Sequence, residues 1–249
     1  MTSPGRLFLL PSPIGGGDPL QILSPELIEA FRGLRHFVVE SESSAGRLLS
    51  GILPAETLRE VSFYTLNEHT EPRKIPGLLV PILKGHDMGI LSEAGCPCVA
   101  DPGADLVAEA HRLGIRVLPL PGPSSILLAL MGSGFSGQRF VFLGYLPAEK
   151  KTRRMKLAQL DREAARDGMT RIFIETPYRN RAVLADALEI LKPDTRFCVA
   201  LDLGGASERI ISMEILKWRA VDVHLEKHPA VFLLPIFDTF CLVLAFFLS

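Results

Sequence analysis

The sequence predicts an α/β protein of two lobes, the first built on a parallel doubly wound sheet and the second on a mixed sheet. Through the first half of the chain, short apolar runs alternate with amphipathic stretches, which is typical of crossover units in a parallel sheet. Pro119, Pro121 and Pro123 then interrupt this pattern. Beyond them, two strand-like runs are separated by a turn at 204–206, a spacing that favours an antiparallel pair and therefore a mixed sheet.

The first lobe is predicted over residues 1–121. Its strands are expected at Arg6–Leu10, Phe37–Glu40, Val61–Tyr64, Met88–Ser92 and Arg116–Leu120. The intervening helices are expected at Ser24–Gly33, Ala45–Gly51, Ile75–Lys84 and Ala104–Gly114. The first of these helices opens with a serine cap followed by Pro25, and the last one ends at a glycine.

The second lobe is predicted over residues 122–235, and an apolar tail follows at 236–249. Strands are expected at Arg139–Gly144, Thr170–Glu175, Arg196–Asp202, Glu208–Met213 and Pro229–Leu234. Helices are expected at Ser124–Met131, Glu149–Arg166 and Arg179–Leu191. The tail carries Asp238 and is too short after Pro235 to span a bilayer, so we expect it to pack on the body or on a dimer partner. A changed reading frame near the end is the alternative.

Composition excludes several classes of protein. With 249 residues, 47% of them hydrophobic, the chain can bury a sizeable core. Its 27 basic and 28 acidic residues give a net charge of -1, so no field of the whole protein favours nucleic acid or anionic lipid. Any contact with RNA must therefore come from a local patch.

The cysteines and the N-terminus suggest a cytoplasmic protein without a structural metal. The four cysteines are too few for a disulfide framework in a chain of this length. Cys96 and Cys98 lack the spacing of a zinc knuckle, and no histidine pair follows them at ligand spacing. The apolar run Leu7–Leu10 stops at Pro11, which is too short for a signal peptide.

Three loops are expected to meet at one rim of the first sheet, because the carboxyl ends of parallel strands lie on the same edge. They are the segments 11–17, 92–104 and 119–125, which are rich in glycine, proline and small residues. Each also has a purely structural interpretation. The first can be a flexible glycine turn, and Asp101, Ser124 and Ser125 can be helix caps.

The motifs P-x-P-x-G at 11–15, S-E-A-G-x-P-x-x-x-D-P-G at 92–103, P-G-P-S-S at 121–125 and G-Y-L-P at 144–147 stand in this order. They resemble the tetrapyrrole methylase superfamily, and within it the ribosomal-RNA small-subunit methyltransferase I group, whose members 2′-O-methylate a cytidine of 16S rRNA. The resemblance extends from about Leu7 to Leu234. It implies a two-lobed homodimeric enzyme with S-adenosylmethionine in a cleft between the lobes.

The resemblance also implies which residues contact the cofactor. In the first lobe and at its end these are Pro13, Ser92, Glu93, Ala94, Pro97, Ser124 and Ser125. From the second lobe they are Glu175, Leu203 and Ala230.

Catalytic residues are harder to predict, because the sulfonium is already an activated methyl donor. A ribose hydroxyl needs a general base, whereas an amine or thiol acceptor needs only desolvation. The candidate bases are Glu40 at the end of the second strand and Glu68 and His69 after the third. Glu40 can instead stabilise the neighbouring chain, and His69 can be a solvated loop residue.

Several positions depart from the RNA-modifying group. Its glutamate is normally followed by Asp-Thr-Arg, but Ser41, Glu42 and Ser43 follow Glu40 here, and Glu93 replaces an aspartate. The basic segment 150–156 can bind RNA phosphates or form a solvated helix face. A methyltransferase acting on a tetrapyrrole or another small molecule, and a non-catalytic binding protein, therefore remain the alternatives.

Overall fold

The computed structural model describes residues 3–221, 223, 225 and 228–235, so the predicted tail 236–249 lies outside the described residues. The chain divides into two compact units, Met1–Ser124 and a second unit that begins at Ser125. Among the described residues, each unit contains one five-stranded sheet. The predicted α/β class, with a parallel sheet followed by a mixed sheet, is confirmed.

The first unit is a parallel sheet flanked by helices. Its strands are β1 Leu7–Leu10, β2 His36–Val39, β3 Ser62–Thr65, β4 Met88–Leu91 and β5 Val117–Pro119. Its helices are α1 Pro19–Ile22, α2 Pro25–Gly33, α3 Glu42–Ser50, α4 Ala55–Leu58, α5 Ile75–Leu78, α6 Val80–Leu83 and α7 Gly103–Arg112, with a 3₁₀ turn at Pro72–Lys74. The strand order is β3-β2-β4-β1-β5, and every neighbouring pair is parallel. All five carboxyl ends therefore lie on one edge.

Local signals explain where α2 and α3 begin. The Ser24 hydroxyl accepts a hydrogen bond from the Leu27 N–H at 3.2 Å, which is the predicted cap of α2. Ser41 caps α3 by accepting from the Ser44 N–H at 3.3 Å, so that helix begins earlier than Ala45. The single helix predicted over 75–84 is wrong. Pro81 cannot donate the hydrogen bond that a continuous helix requires, so the helix is interrupted at Leu79.

The second unit is the mixed sheet. Its strands are β6 Phe140–Tyr145, β7 Thr170–Glu175, β8 Arg196–Leu201, β9 Arg209–Glu214 and β10 Ala230–Leu234, in the order β6-β7-β10-β8-β9. Its helices are α8 Ser125–Ser133, α9 Lys150–Asp167, α10 Asn180–Ile190 and α11 Ile215–Trp218, with a 3₁₀ turn at Pro177–Arg179. β6 and β7 are parallel, and the other neighbouring pairs are antiparallel. The predicted pairing across the turn at 204–206 is confirmed.

Arg153 belongs to the contact between α9 and α10. Its side chain is 6% exposed, and its Nε and Nη2 lie 2.9 and 2.6 Å from Oδ2 of Asp186, itself 3% exposed. Arg153 Nη1 also donates to the Ala148 carbonyl at 2.9 Å. Arg153 therefore neither lies on a solvated helix face nor is available to RNA phosphates, the two interpretations given for segment 150–156. Its charge is paired with Asp186 between the two helices. Lys150 and Lys151 remain exposed.

A histidine pair lies at the opposite edge of the first sheet from the strand carboxyl ends. The ring of His36 lies 5.0 Å from that of His86 between centroids, and its Nδ1 is 3.1 Å from the Tyr64 hydroxyl. Burial, and to a lesser extent the neighbouring His86, lowers the pKa of His36. The unfolded chain therefore binds a proton more readily at this position than the folded protein does.

We expect the free energy of unfolding to fall as the pH drops below about 6.5, the ordinary histidine pKa. The sign follows because the stability contributed by a neutral His36 is present above that pH and is lost as the unfolded chain becomes protonated. Urea unfolding at about pH 7.5 and 5.5 measures the change. The variant His36→Gln should show a smaller difference in unfolding free energy between the two pH values. The control His111→Gln, at an exposed position of α7, should show the same difference as wild type. An equal change in wild type and His36→Gln would contradict this assignment.

Candidate functional site

The loops that follow β1, β4 and β5 are in direct contact. Ser12 and Gly95 exchange two backbone hydrogen bonds, with the Ser12 N–H donating at 2.9 Å and the Gly95 N–H at 3.1 Å. The Ser12 hydroxyl donates to the Ser92 carbonyl at 2.6 Å, and the Ser92 hydroxyl donates to the Gly95 carbonyl at 2.8 Å. The Cys96 thiol reaches the Pro123 carbonyl at 3.4 Å. These contacts bring together the three segments that the sequence predicts at one rim.

Two glycines allow these loops to approach so closely. Gly95 has a φ of +73°, a left-handed backbone that residues with a Cβ rarely adopt. A Cβ on Gly122 would lie 2.4 Å from the Cβ of Pro11, closer than side chains pack. The loops therefore depend on glycine for a left-handed backbone at one position and for a close contact at the other.

The loop between β4 and α7 also stores backbone strain. Cys98 and Ala100 have φ values of 66° and 57°, a region that costs residues with a Cβ about 1–2 kcal/mol each. Asp101 follows them, and its Oδ1 accepts a hydrogen bond from the Gly103 N–H at 2.7 Å. The predicted cap geometry is wrong in detail, because α7 begins at Gly103 and Pro102 occupies the cap position. Asp101 nevertheless satisfies a donor of the first helical turn.

Glu40 lies beside this loop. It directly follows β2, whose Val39 pairs with Leu91 of β4, so Glu40 and Ser92 stand side by side at the strand ends. Its side chain is half-buried. Burial, followed by the neighbouring Asp101 carboxyl, raises the pKa of Glu40 to about 7, with smaller contributions from Glu93 and Glu68. Glu40 therefore exchanges a proton near neutral pH.

These four carboxyl groups form an acidic rim, defined as Glu40, Glu68, Glu93 and Asp101. Glu68 and His69 lie in the exposed turn after β3, with His69 Nε2 3.7 Å from Glu68 Oε1. The side chain of His69 is 84% exposed, so the structure places it as a solvated loop residue. Of the candidate bases, Glu40 alone is half-buried against the loops.

The candidate cofactor contacts of the first unit lie in or next to these loops. Pro97 and Ser92 are buried, Pro13 and Ser124 are half-buried, and Glu93 and Ala94 are exposed. Ser125, also half-buried, is the first residue of α8. Sequence reasoning missed Ser12, which is buried and links two of the loops; its position two residues after a buried strand was the available signal.

In the second unit, Glu175, Leu203 and Ala230 lie at one end of the sheet. Ala230 pairs with Glu175 of β7 and with Leu201 of β8, two residues before Leu203. The Glu175 side chain is fully buried and lies 2.8 Å from Nη2 of Arg179. This ion pair does not have the angle of a hydrogen bond, so Glu175 Oε2 has no hydrogen-bond partner. The sequence did not indicate that Arg179 is the ion-pair partner of Glu175.

Comparison with known proteins identifies the family. Residues 67–216 match the model of the Tetrapyrrole (Corrin/Porphyrin) Methylases. The chain belongs to this family. It is a methyltransferase. The chain is 32% identical over 231 residues to the ribosomal RNA small subunit methyltransferase I of Vibrio cholerae, covering 91% of this chain and 76% of that one. It is also 32% identical over 236 residues to the Pseudomonas aeruginosa protein of the same name, covering 93% and 79%.

Solved structures show the same fold. The methyltransferase CobJ superposes with a TM-score of 0.62 and 17% identity, covering 94% of this chain and 95% of CobJ. Uroporphyrin-III-C-methyltransferase from Thermus thermophilus gives a TM-score of 0.53 with 16% identity, over 93% of this chain and 92% of that one. At these identities the likeness concerns the fold of the methyltransferase and not its acceptor.

Two further observations apply to the part of the chain that the structure describes. No group of three or more His, Cys, Asp or Glu side chains there is arranged to hold a metal ion. None of its helices has the length and apolar character needed to cross a membrane.

Proposed function

We propose that this methyltransferase uses S-adenosylmethionine to methylate a ribose 2′-hydroxyl of small-subunit ribosomal RNA. The names of its relatives support the RNA acceptor. The observation that carries the proposal is Glu40, a half-buried carboxyl at the strand ends whose pKa is raised to about 7. A hydroxyl acceptor needs a base of this kind, and a base with a pKa near the working pH is the most effective one.

The residues present suit the cofactor. The acidic rim favours a positively charged sulfonium, and the glycine-dependent loops expose backbone donors and acceptors to a polar ligand. The residues proposed to hold it are Pro13, Ser92, Glu93, Ala94, Pro97, Ser124 and Ser125, with Glu175, Leu203 and Ala230 in the second unit. When bound, S-adenosylmethionine supplies a methyl group already activated for transfer.

The protein's own contribution is alignment and proton removal. The loops joined by Ser12 and Ser92 are held by their own hydrogen bonds, which lowers the cost of orienting a ligand. Ionised Glu40 takes the proton of the acceptor hydroxyl as the new bond to oxygen forms. Glu68 and His69, the other candidate bases, are left without a direct role in this proposal.

A small-molecule acceptor is the second candidate, and the charges of the structure favour it. The acidic rim repels phosphate groups, and Arg153 and Arg154 are committed to Asp186 and Glu189. A small molecule without anionic groups needs no cationic surface.

The proposal includes a homodimer acting in the cytoplasm, as the family resemblance implies. Size-exclusion chromatography with light scattering measures the oligomeric state.

Calorimetric titration with S-adenosylmethionine, followed by transfer of a labelled methyl group to small-subunit RNA or to a tetrapyrrole, tests the proposed function. We expect cofactor binding and labelling of a ribose. The double variant Lys150→Ala/Lys151→Ala should weaken RNA binding. It should also make the slope of log affinity against log salt concentration shallower by the contribution of about two phosphate contacts. Lys217→Ala, at an exposed position of α11, is the control.

Absence of cofactor binding would overturn the whole proposal. Labelling of the tetrapyrrole alone, with no effect of the lysine variants, would establish the second candidate.

A further inference from the structure

Strand β6, at one edge of the second sheet, carries a row of aromatic side chains. Alternate residues of a strand point to the same face of a sheet, and so do residues paired across parallel strands. Phe140, Phe142 and Tyr145 pair with alternate residues of β7, namely Thr170, Ile172 and Ile174. The three rings therefore lie on one face and form the aromatic row, defined by these three residues. Successive members are about 6.6 Å apart along the strand.

A β-bulge brings Tyr145 onto that face. The register with β7 shifts between Phe142 and Tyr145, and Gly144 lies within the shift with a φ of 67°. In a regular strand Tyr145 would point to the opposite face from Phe142, because an odd number of residues separates them. Bulges commonly redirect a side chain in this way next to functional sites.

The aromatic row is exposed although its side chains are largely apolar. Phe140 is 41% exposed and Tyr145 is 54% exposed, and Phe142 is half-buried. On β9, at the other edge of the sheet, the apolar side chains are all half-buried. Helix α8 packs on β10, β8 and β9, which lie beyond β7 from β6 in the strand order. An exposed apolar surface of this kind marks a binding site for a partner.

A single-stranded segment of RNA suits this surface. Aromatic rings on an open face of a sheet stack nucleobases, and the contact is available to every base because each has a π face. Phosphates require cations nearby, and Lys150 and Lys151 are exposed at the start of α9. Five residues of chain separate Tyr145 from Lys150, so their backbones lie no more than about 18 Å apart. One short strand of RNA can therefore reach both the rings and the lysines.

We propose that the aromatic row binds the bases of the acceptor RNA by stacking, while Lys150 and Lys151 bind its phosphates. This inference rests on the proposed function and identifies the surface of the second unit that holds the acceptor. It agrees with the charges of the first unit, whose acidic rim repels phosphate groups. It also gives a role to Tyr145 of the G-Y-L-P motif, which the proposed catalytic step does not use.

The test is fluorescence anisotropy with a labelled oligocytidine of about ten nucleotides, and with an abasic oligomer of the same length that offers phosphates alone. Tyr145→Leu and Phe140→Leu keep an apolar side chain but remove the aromatic ring. We expect each to lower the affinity for oligocytidine about 5–100-fold and to leave the affinity for the abasic oligomer unchanged.

The salt dependence separates the rings from the lysines. In both leucine variants, the slope of log affinity against log salt concentration should equal that of wild type, because stacking releases no counterions. Lys150→Ala/Lys151→Ala should instead weaken the binding of both oligomers and make the slope shallower.

Two further variants serve as controls. Tyr145→Trp keeps a flat aromatic ring and should retain the affinity for oligocytidine, a rescue that a purely structural role of the tyrosine hydroxyl would not give. Leu216→Ala removes an exposed apolar side chain from α11 and should leave the affinity for both oligomers unchanged. Urea unfolding checks that the variants are folded. If Phe140→Leu fails to fold, the more exposed Tyr145 provides the test by itself.

Wild-type affinity for oligocytidine in folded Tyr145→Leu overturns the proposal, even if the protein methylates RNA. A changed molar mass in light scattering, without loss of RNA affinity, would assign the aromatic row to a contact between copies of the chain and would also overturn it. A wild-type protein that binds cofactor but methylates only a small molecule overturns the proposed function. The titration with oligocytidine uses no cofactor and still decides whether the row stacks bases, so the two failures are distinguishable.

Discussion

Replacing Arg153 by alanine is expected to lower the free energy of unfolding by about 3–5 kcal/mol, because it leaves the Asp186 carboxylate buried without its partner. Both side chains are more than nine-tenths buried, and two guanidinium nitrogens contact the same carboxylate oxygen. Arg154 lies 3.6 Å from the other oxygen of Asp186, but it is also paired with Glu189 and is more exposed. It therefore cannot fully replace the lost charge.

Urea unfolding of purified variants measures this loss. Lys151→Ala, on the exposed face of the same helix, is the matched control and should change the free energy by less than about 0.5 kcal/mol. The double variant Arg153→Met/Asp186→Leu should recover much of the stability, since apolar side chains of similar size can replace a buried ion pair. An Arg153→Ala protein as stable as the lysine control would show that the pair is not buried in solution. Tests of RNA binding should therefore substitute Lys150 and Lys151 and leave Arg153 intact.

Replacing Glu40 by glutamine is expected to reduce the rate of methyl transfer about 10²–10⁴-fold, the usual contribution of a general base. Glutamine has nearly the same shape as a protonated glutamate and adds no charge. It cannot accept a proton from the acceptor hydroxyl. The fold should therefore change little while the chemical step slows.

Single-turnover transfer of a labelled methyl group measures this effect separately from product release. Glu42→Gln provides the control, because Glu42 is exposed in the first turn of α3, two residues from Glu40. A rate within tenfold of wild type for Glu40→Gln would indicate that Glu40 is not the base. It would favour an acceptor that is methylated after desolvation alone.

Much of the fold could be predicted from local patterns in the sequence. Strand β7 has its predicted bounds, Thr170–Glu175, and the other strands differ from their predicted bounds by one residue at one or both ends. A strand or helix depends mainly on the spacing of apolar residues and on nearby caps, which neighbouring sequence letters contain. The helix predicted over 75–84 is wrong because Pro81, which has no N–H, divides it into two short helices.

The order of motifs also determined the family and the loops that meet at the strand ends. The sequence did not reveal the partners of individual charged groups, because those depend on contacts between distant segments. Arg153 stands in a run of basic residues, yet only the packing of α9 against α10 pairs it with Asp186. Asp101 can be predicted as a helix cap, yet only the parallel order of β2 and β4 brings its loop beside Glu40. Burial and a neighbouring carboxyl then raise the pKa of Glu40 to about 7, an effect that no local pattern contains.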